Sequence, residues 1–226
     1  MGESMIVHER ITDYINSLEV SDSPICEQIR KEALSDFVPI IRLETASLLK
    51  FFVTLTRPMK ILEVGTAVGY SAILMSECLQ EGATITTIEK YEPRIPIAKE
   101  NFKRAGKEDV ITLLEGDALE ILKGLDDTYD MIFMDAAKAQ YIYYLPEVMR
   151  LLKVGGLLIS DNILQDGDVM QSRYAVTRRN RTIHSRMREY LYTLKHKEEL
   201  QTAIIPIGDG VAVSTKKGTL WDIQNY

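Results

Sequence analysis

Lys60-Ile61-Leu62-Glu63-Val64-Gly65-Thr66-Ala67-Val68-Gly69-Tyr70-Ser71 joins an apolar run to a glycine-punctuated turn and then to a second apolar run. This pattern predicts a buried strand that breaks into a turn opening a helix. Gly65 and Gly69 are positions where positive φ or close backbone approach meets no Cβ, so a small ligand can press against the main chain there. The order Gly-x-x-x-Gly lacks the Gly-x-Gly-x-x-Gly fingerprint of dinucleotide sites, which disfavours a pyrophosphate on the helix N-terminus and with it a nicotinamide dehydrogenase. Glu63 beside the turn would repel phosphate and suit a ligand with a cationic end, such as an amino acid or a sulfonium. A plain tight turn of any α/β fold is the competing reading.

Outward from this stretch the chain alternates. Residues 6–18, 24–36 and 43–55 read as helices, with Ile6, Ile11, Ile15 and Leu18 as one apolar stripe and Ser23-Pro24 as a capped first turn. They are expected to pack across the sheet or against a second subunit and to roof the ligand turn in part. Downstream come helix 71–80, strand 83–89, helix 92–104, strand 110–114, helix 118–124, strand 129–134, helix 141–152, strand 156–160, a loop and helix 178–196. Strands 202–207 and 210–215 follow, joined at Gly208-Asp209. The prediction is an α/β fold: a doubly wound, Rossmann-like sheet, mostly parallel, closed by a C-terminal antiparallel hairpin. One domain is expected over 1–226, with an N-terminal helical segment at 1–57 and a core at 58–217.

The chain has 226 residues, 46% of them apolar and 27% charged, enough for one sizeable core. Cys26 and Cys78 have no paired or metal-ligand spacing, which points to reduced thiols and a cytoplasmic setting. Acids near the N-terminus and the lack of an apolar h-region argue against a signal peptide, and no run is long enough to span a membrane. The net charge of −6 is unevenly spread: residues 173–197 carry eight Lys/Arg against Glu189 alone, for +7. Such segregation suits an anionic partner gripped by Arg178, Arg179, Arg181, Arg186 and Arg188, or else a solvated helix face.

In doubly wound sheets ligands lie beyond the carboxyl ends of the strands, and here those ends are acidic. Glu89 follows Gly69 by twenty residues, the usual place for a carboxylate gripping ribose hydroxyls in nucleotide and adenosyl-methionine sites alike. Asp135, Asp161 and Asn162 fall at neighbouring strand ends and offer three hard oxygens, a set that fits Mg²⁺ or a similar cation. An Asx turn at Asp161-Asn162 and a helix cap at Asp135 would account for the same residues. Lys138, three residues after Asp135, can face the same cleft as a general base or stand as a surface lysine. His8, His184 and His196 are scattered and read as solvated or structural. Tyr141, Tyr143 and Tyr144 read as core or interface.

Taken together, the Leu62–Ser71 stretch, Gly116-Asp117-Ala118, Met134-Asp135-Ala136-Ala137-Lys138, Gly155-Gly156, Asp161-Asn162 and Pro206-Ile207-Gly208-Asp209-Gly210 resemble the cation-dependent O-methyltransferases of caffeoyl-CoA and catechol type. The resemblance covers roughly residues 35–215. It implies a class I methyltransferase fold, S-adenosylmethionine as cofactor, Mg²⁺ or another divalent cation on Asp135, Asp161 and Asn162, and a homodimer, the usual state of bacterial members. It places cofactor contacts at Ile41, Glu63, Gly65, Ser71, Glu89, Asp117, Ala118 and Asp135, and catalysis at Asp135 and Lys138. Two departures argue against phenylpropanoid-CoA esters: Ala137 stands where plant members carry a second aspartate, and Ile163–Gly167 differs from their substrate loop. The Arg-rich segment and Gln201–Pro206 resemble the bacterial branch that methylates 5-hydroxyuridine at the tRNA wobble position. Small catechol-like molecules are the alternative substrate, since both present a hydroxyl beside a second oxygen, and a non-catalytic nucleic-acid-binding protein is a third reading.

Overall fold

The five residues Lys60–Val64 form β1, whose last four side chains are buried on both faces, as a central parallel strand requires. The computed structural model describes residues 6–218; the extreme N-terminal residues 1–5 and the tail 219–226 lie outside the described residues. Around β1 stand β2 (Thr84–Glu89), β3 (Ile111–Glu115), β4 (Tyr129–Met134), β5 (Leu152–Ser160), β6 (Leu200–Ile205) and β7 (Val211–Lys216). Their order is β3-β2-β1-β4-β5-β7-β6. Strands β1 to β5 pair in parallel, and β7 runs antiparallel to both β5 and β6.

The alternation of side chains divides the core between the two faces. Leu62 and Val64 point to one cluster with Ile132, Met134, Leu158 and Tyr190, while Ile61 joins Tyr70, Ile85, Phe133 and Ile159 on the other. The first face is covered by α6 (Ala118–Gly124), α7 (Tyr141–Leu151) and α8 (Arg181–His196), and the second by α3 (Leu43–Thr56), α4 (Tyr70–Ser76) and α5 (Ile95–Arg104). Helix α2 (Pro24–Ser35) is capped by Ser23, whose Oγ accepts from Cys26 N, and packs on α4. Helix α1 (Glu9–Ser17) buries no residue, so the apolar stripe of Ile11, Ile15 and Leu18 is uncovered.

Several boundaries differ from the sequence reading. Helix α8 begins at Arg181 rather than residue 178, because residues 177–180 form a turn that leads into it. Its buried face carries His184, Met187, Tyr190, Leu191 and Leu194, with Ile183 only half buried. His184 can go inside because its ring bonds the Gln171 carbonyl at 3.1 Å. The expected loop after β5 contains a 3₁₀ segment, Gln165–Met170, interrupted by left-handed Asp166 and Gly167. Strand β5 begins earlier than expected, at Leu152, and β6 starts at Leu200, two residues ahead of its expected position. Among the described residues, no helix is long and apolar enough to cross a membrane.

Candidate functional site

A cavity of about 640 Å³ opens beyond the carboxyl ends of the central strands. Its wall includes Gly65 and Ala67 after β1, Glu89 ending β2, Gly116 and Ala118 after β3, and Asp135 and Lys138 after β4. Asn162 follows β5, and Pro39 and Ile40 approach from the segment before α3. A small adjoining recess shares Gly65, Ala67 and Asp135 and adds Ile41 and Ser71. Eight of the expected site residues therefore share one cleft: Ile41, Gly65, Ser71, Glu89, Ala118, Asp135, Lys138 and Asn162.

The turn after β1 is fixed by contacts within the protein. Gly65 has φ +109, and a Cβ there would lie 2.3 Å from the Asp135 carbonyl oxygen. The close approach expected of a ligand is thus made by the end of β4. Gly69 caps α4 at φ +86 against the ring of Phe102. Between them Ala67 adopts φ +48, and its N–H donates to Glu89 Oε2 at 2.7 Å. The N–H groups of Lys90 and Tyr91 donate to Glu89 Oε1 at 2.9 and 2.7 Å. Three charge-assisted bonds hold this carboxylate at the cavity edge.

Glu63 lies beneath the turn. It is fully buried and does not line the cavity; Ser71 Oγ donates to Oε1 and Thr87 Oγ1 to Oε2. Parallel register explains Thr87, which sits directly across from Glu63 on β2. Burial pushes the carboxyl up to about 8 despite the two hydroxyl donors, so its influence on a ligand's charge is indirect. The native state then binds this proton more tightly than the unfolded chain does. Stability contributed by the protonated form is complete near pH 4.5 and is lost as pH rises toward 8, by at most about 1.4 kcal/mol per pH unit. Glu63→Gln should flatten that slope in ligand-free protein, as measured by urea unfolding at pH 5.5 and 8. An unchanged slope would assign the pH dependence to other groups.

Asp117 also lies outside the cavity wall. It caps α6, accepting from Leu119 N at 3.0 Å, and pairs with Lys90 Nζ at 2.8 Å. The lysine bond, opposed in part by desolvation, leaves its carboxyl below the usual range.

The β4 and β5 ends bring Asp135, Lys138, Asp161 and Asn162 together. Lys138 Nζ donates to Asp135 Oδ1 and Asn162 Oδ1, both at 2.7 Å, and to Tyr141 Oη at 3.3 Å. Asn162 adopts φ +54, which asparagine tolerates, and turns its side chain toward this cluster. Asp161 is almost wholly buried, and its Oδ1 has no hydrogen-bond partner. Desolvation, reinforced by the Asp135 charge, holds the Asp161 carboxyl above the ordinary range. No group of three His, Cys, Asp or Glu side chains able to hold a metal gathers among the described residues. A cation site here therefore draws on the Asn162 amide. The donor set fits a hard divalent ion: every donor is oxygen, one is buried without a partner, and two already converge on a cationic nitrogen.

Three residues support the site in ways the sequence reading did not assign, although Tyr141 was expected in the core or an interface and is buried. Tyr141 is buried and donates from Oη to the Met134 carbonyl at 2.9 Å and the Asp161 carbonyl at 3.3 Å, tying β4 to β5 beneath the cluster. Asp209 receives the Asp166 N–H, and the Asp209 and Gly210 carbonyls accept from Leu164 and Ile163. The Gly208-Asp209-Gly210 motif thus pins the loop that leaves Asn162. Pro39 carries no signal in sequence beyond its rigidity.

The arginines divide into two groups. Arg181 Nε donates to the Val176 carbonyl at 3.3 Å, Arg186 to Ala139 at 3.2 Å and Arg188 to Val169 at 3.1 Å. Arg186 also stacks over Tyr143 at 4.8 Å. Arg188 is exposed and Arg181 half buried, and each also bonds a carbonyl of the segment beside α8. Arg178 and Arg179, in the turn before α8, are exposed.

Comparison with known proteins adds to this geometry. A family model described as O-methyltransferase matches residues 16–217. Tapetum-specific methyltransferase 1 of Arabidopsis thaliana is 30% identical over 169 residues, 73% of this chain and 72% of that protein. A catechol O-methyltransferase of Niastella koreensis is 35% identical over 127 residues, 54% of this chain and 57% of that one. The crystal structure of an O-methyltransferase from Bacillus cereus in complex with SAH superposes with a TM-score of 0.81 at 22% identity, covering 92% of this chain and 97% of that one. At that identity it speaks for the fold.

Proposed function

The chain belongs to the O-methyltransferase family, and from that premise we propose that it methylates a hydroxyl flanked by a second oxygen, using S-adenosylmethionine and a divalent cation, with 5-hydroxyuridine at the tRNA wobble position as substrate. The convergence of Asp135, Lys138 and Asn162 on one point, beside the unpartnered Asp161 Oδ1, carries the reading. Asp135, Asp161 and Asn162 would hold the cation, which supplies Lewis-acid polarisation of the hydroxyl when bound. S-adenosylmethionine supplies the electrophilic methyl group.

The remaining work falls to the chain itself. Gly65, Ser71, Glu89 and Ala118, with Ile41 from above, form the walls against which a cofactor is oriented, and Glu89 presents its pinned carboxylate for ribose hydroxyls. Pro39, Ile40 and Tyr144 exclude water from the apolar side. Lys138, in the cavity wall, would take the proton of the substrate hydroxyl as a free amine released from its contacts with Asp135 and Asn162. Alignment then supplies much of the rate.

The tRNA assignment is supported by Arg178 and Arg179, exposed on the chain that leaves the Asn162 loop. A small catechol is the second reading, favoured by the catechol O-methyltransferase relative and by the internal bonds of Arg181, Arg186 and Arg188. Incubating the protein with S-adenosylmethionine and Mg²⁺ against tRNA bearing 5-hydroxyuridine, or against catechol, separates them. The expected product is 5-methoxyuridine, lost on adding EDTA. Methylation of catechol alone would move the assignment to small molecules, and neither product would overturn the reading. The Arg178→Ala/Arg179→Ala double variant should weaken tRNA binding and flatten its salt dependence by about one unit per lost phosphate contact. An unchanged salt slope would remove these two arginines from the interface.

A further inference from the structure

We propose that Lys138 acts as a built-in competitor for the metal site, its ammonium bridging Asp135 and Asn162 and having to leave before a divalent cation can use those oxygens. The inference rests on the metal reading above and goes beyond it. It starts from three contacts: Nζ lies 2.7 Å from Asp135 Oδ1, 2.7 Å from Asn162 Oδ1 and 3.3 Å from Tyr141 Oη. An ammonium has three protons to donate, so every donor is engaged. Asp135 and Asn162 contribute two of the three side chains expected to bind the cation, and both point their Oδ1 at the same nitrogen. One position cannot hold an ammonium and a divalent ion together, since the two like charges would sit within a few ångströms in a partly buried cleft.

The neighbouring groups fit this exchange. Asp161 Oδ1 is left out of the lysine's contacts and has no other partner, so the clamp is one oxygen short of the set a divalent ion would take. Lys138 itself lines the cavity, so a lysine displaced from the clamp has open space to move into. The clamp also gives the Asp135 carboxylate and the Asn162 amide a shared partner in metal-free protein, tying the β4 end to the residue that follows β5.

Competition lowers the apparent affinity by the fraction of molecules in the open state. Titrating Mn²⁺ into the full chain by calorimetry should therefore show Lys138→Met binding on the order of tenfold more tightly than the parent, if the clamped state predominates about tenfold. The same variant in EDTA should unfold at a lower temperature, by ~2–4 °C or more, because the partly buried Asp135 and Asn162 oxygens lose their cation. At saturating Mn²⁺ the two melting curves should converge. Should the Met variant fail to fold, Lys138→Gln, which keeps a donor without the charge, serves in its place. Equal Mn²⁺ affinity would overturn the proposal. Tighter binding with undiminished stability in EDTA would also overturn it, because a distant like charge would suffice. Failure of both proteins to bind Mn²⁺, with a heat signal no different from that of an Asp161→Ala control, would sink the metal reading itself and the competition with it.

Discussion

Asp161→Ala should reduce methyl transfer by ~10³-fold or more while leaving the metal-free protein at least as stable as its parent. The two effects have one cause. Asp161 is only 1% exposed, its Oδ1 has no partner, and burial together with Asp135 raises its carboxyl above the ordinary range. A group so placed lowers stability as pH rises above the ordinary aspartate range, because the native state holds its proton more tightly than the unfolded chain. Alanine removes the carboxyl and that slope together. The backbone is held independently, with Asp161 N donating to the Met134 carbonyl at 3.0 Å and Tyr141 Oη reaching the Asp161 carbonyl. The cleft should therefore keep its shape and lose its chemistry. Urea unfolding in EDTA at pH 5.5 and 8, beside single-turnover rates with Mg²⁺, checks both halves. Retained turnover would remove Asp161 from the site, and destabilisation by several kcal/mol would make it a structural residue.

The strand ends were legible in sequence because parallel strands read as short apolar runs and their termini are marked by Gly65, Glu89, Gly116, Asp135 and Asp161. Alternating helices then fixed the order of the elements along the chain. The insertion of β7 between β5 and β6 was not visible, since either strand of a hairpin can take the inner place and tertiary packing chooses. The burial of Glu63 was not legible for a related reason. Periodicity puts it on the face of Ile61, but only the register with β2 brings Thr87 across from it and only the turn into α4 brings Ser71, the two hydroxyls that complete its hydrogen bonds. The arginines show the same limit. The bonds of Arg181 and Arg188 to the Val176 and Val169 carbonyls could not be read from helical spacing, because those carbonyls belong to a segment whose path no periodicity describes. His184 lies inside while its neighbour Ile183 is only half buried, and the Gln171 carbonyl that partners its ring is not visible in spacing.

Gly65→Ala should be the most disruptive single methyl added near the cavity, costing about 3–5 kcal/mol when overpacking and backbone strain are combined. Such a loss is a large part of the stability of an ordinary domain, roughly 5–15 kcal/mol. The new Cβ would stand 2.3 Å from the Asp135 carbonyl oxygen and 2.8 Å from its carbon, both main-chain atoms with no rotamer to relieve them. A φ of +109 is foreign to alanine as well. Relief would require the ends of β1 and β4 to part, straining the bond from Asp135 N to the Val64 carbonyl at 2.9 Å. Asp135 would then move away from Asn162, so residual folded protein should also have lost Mn²⁺ binding. Gly106→Ala separates strain from clash: φ is +62 there, but nothing lies within 4 Å of the added Cβ. That variant should lose only about 1 kcal/mol. Equal melting temperatures for the two variants would mean that the contact between Gly65 and the end of β4 does not set the geometry of the site.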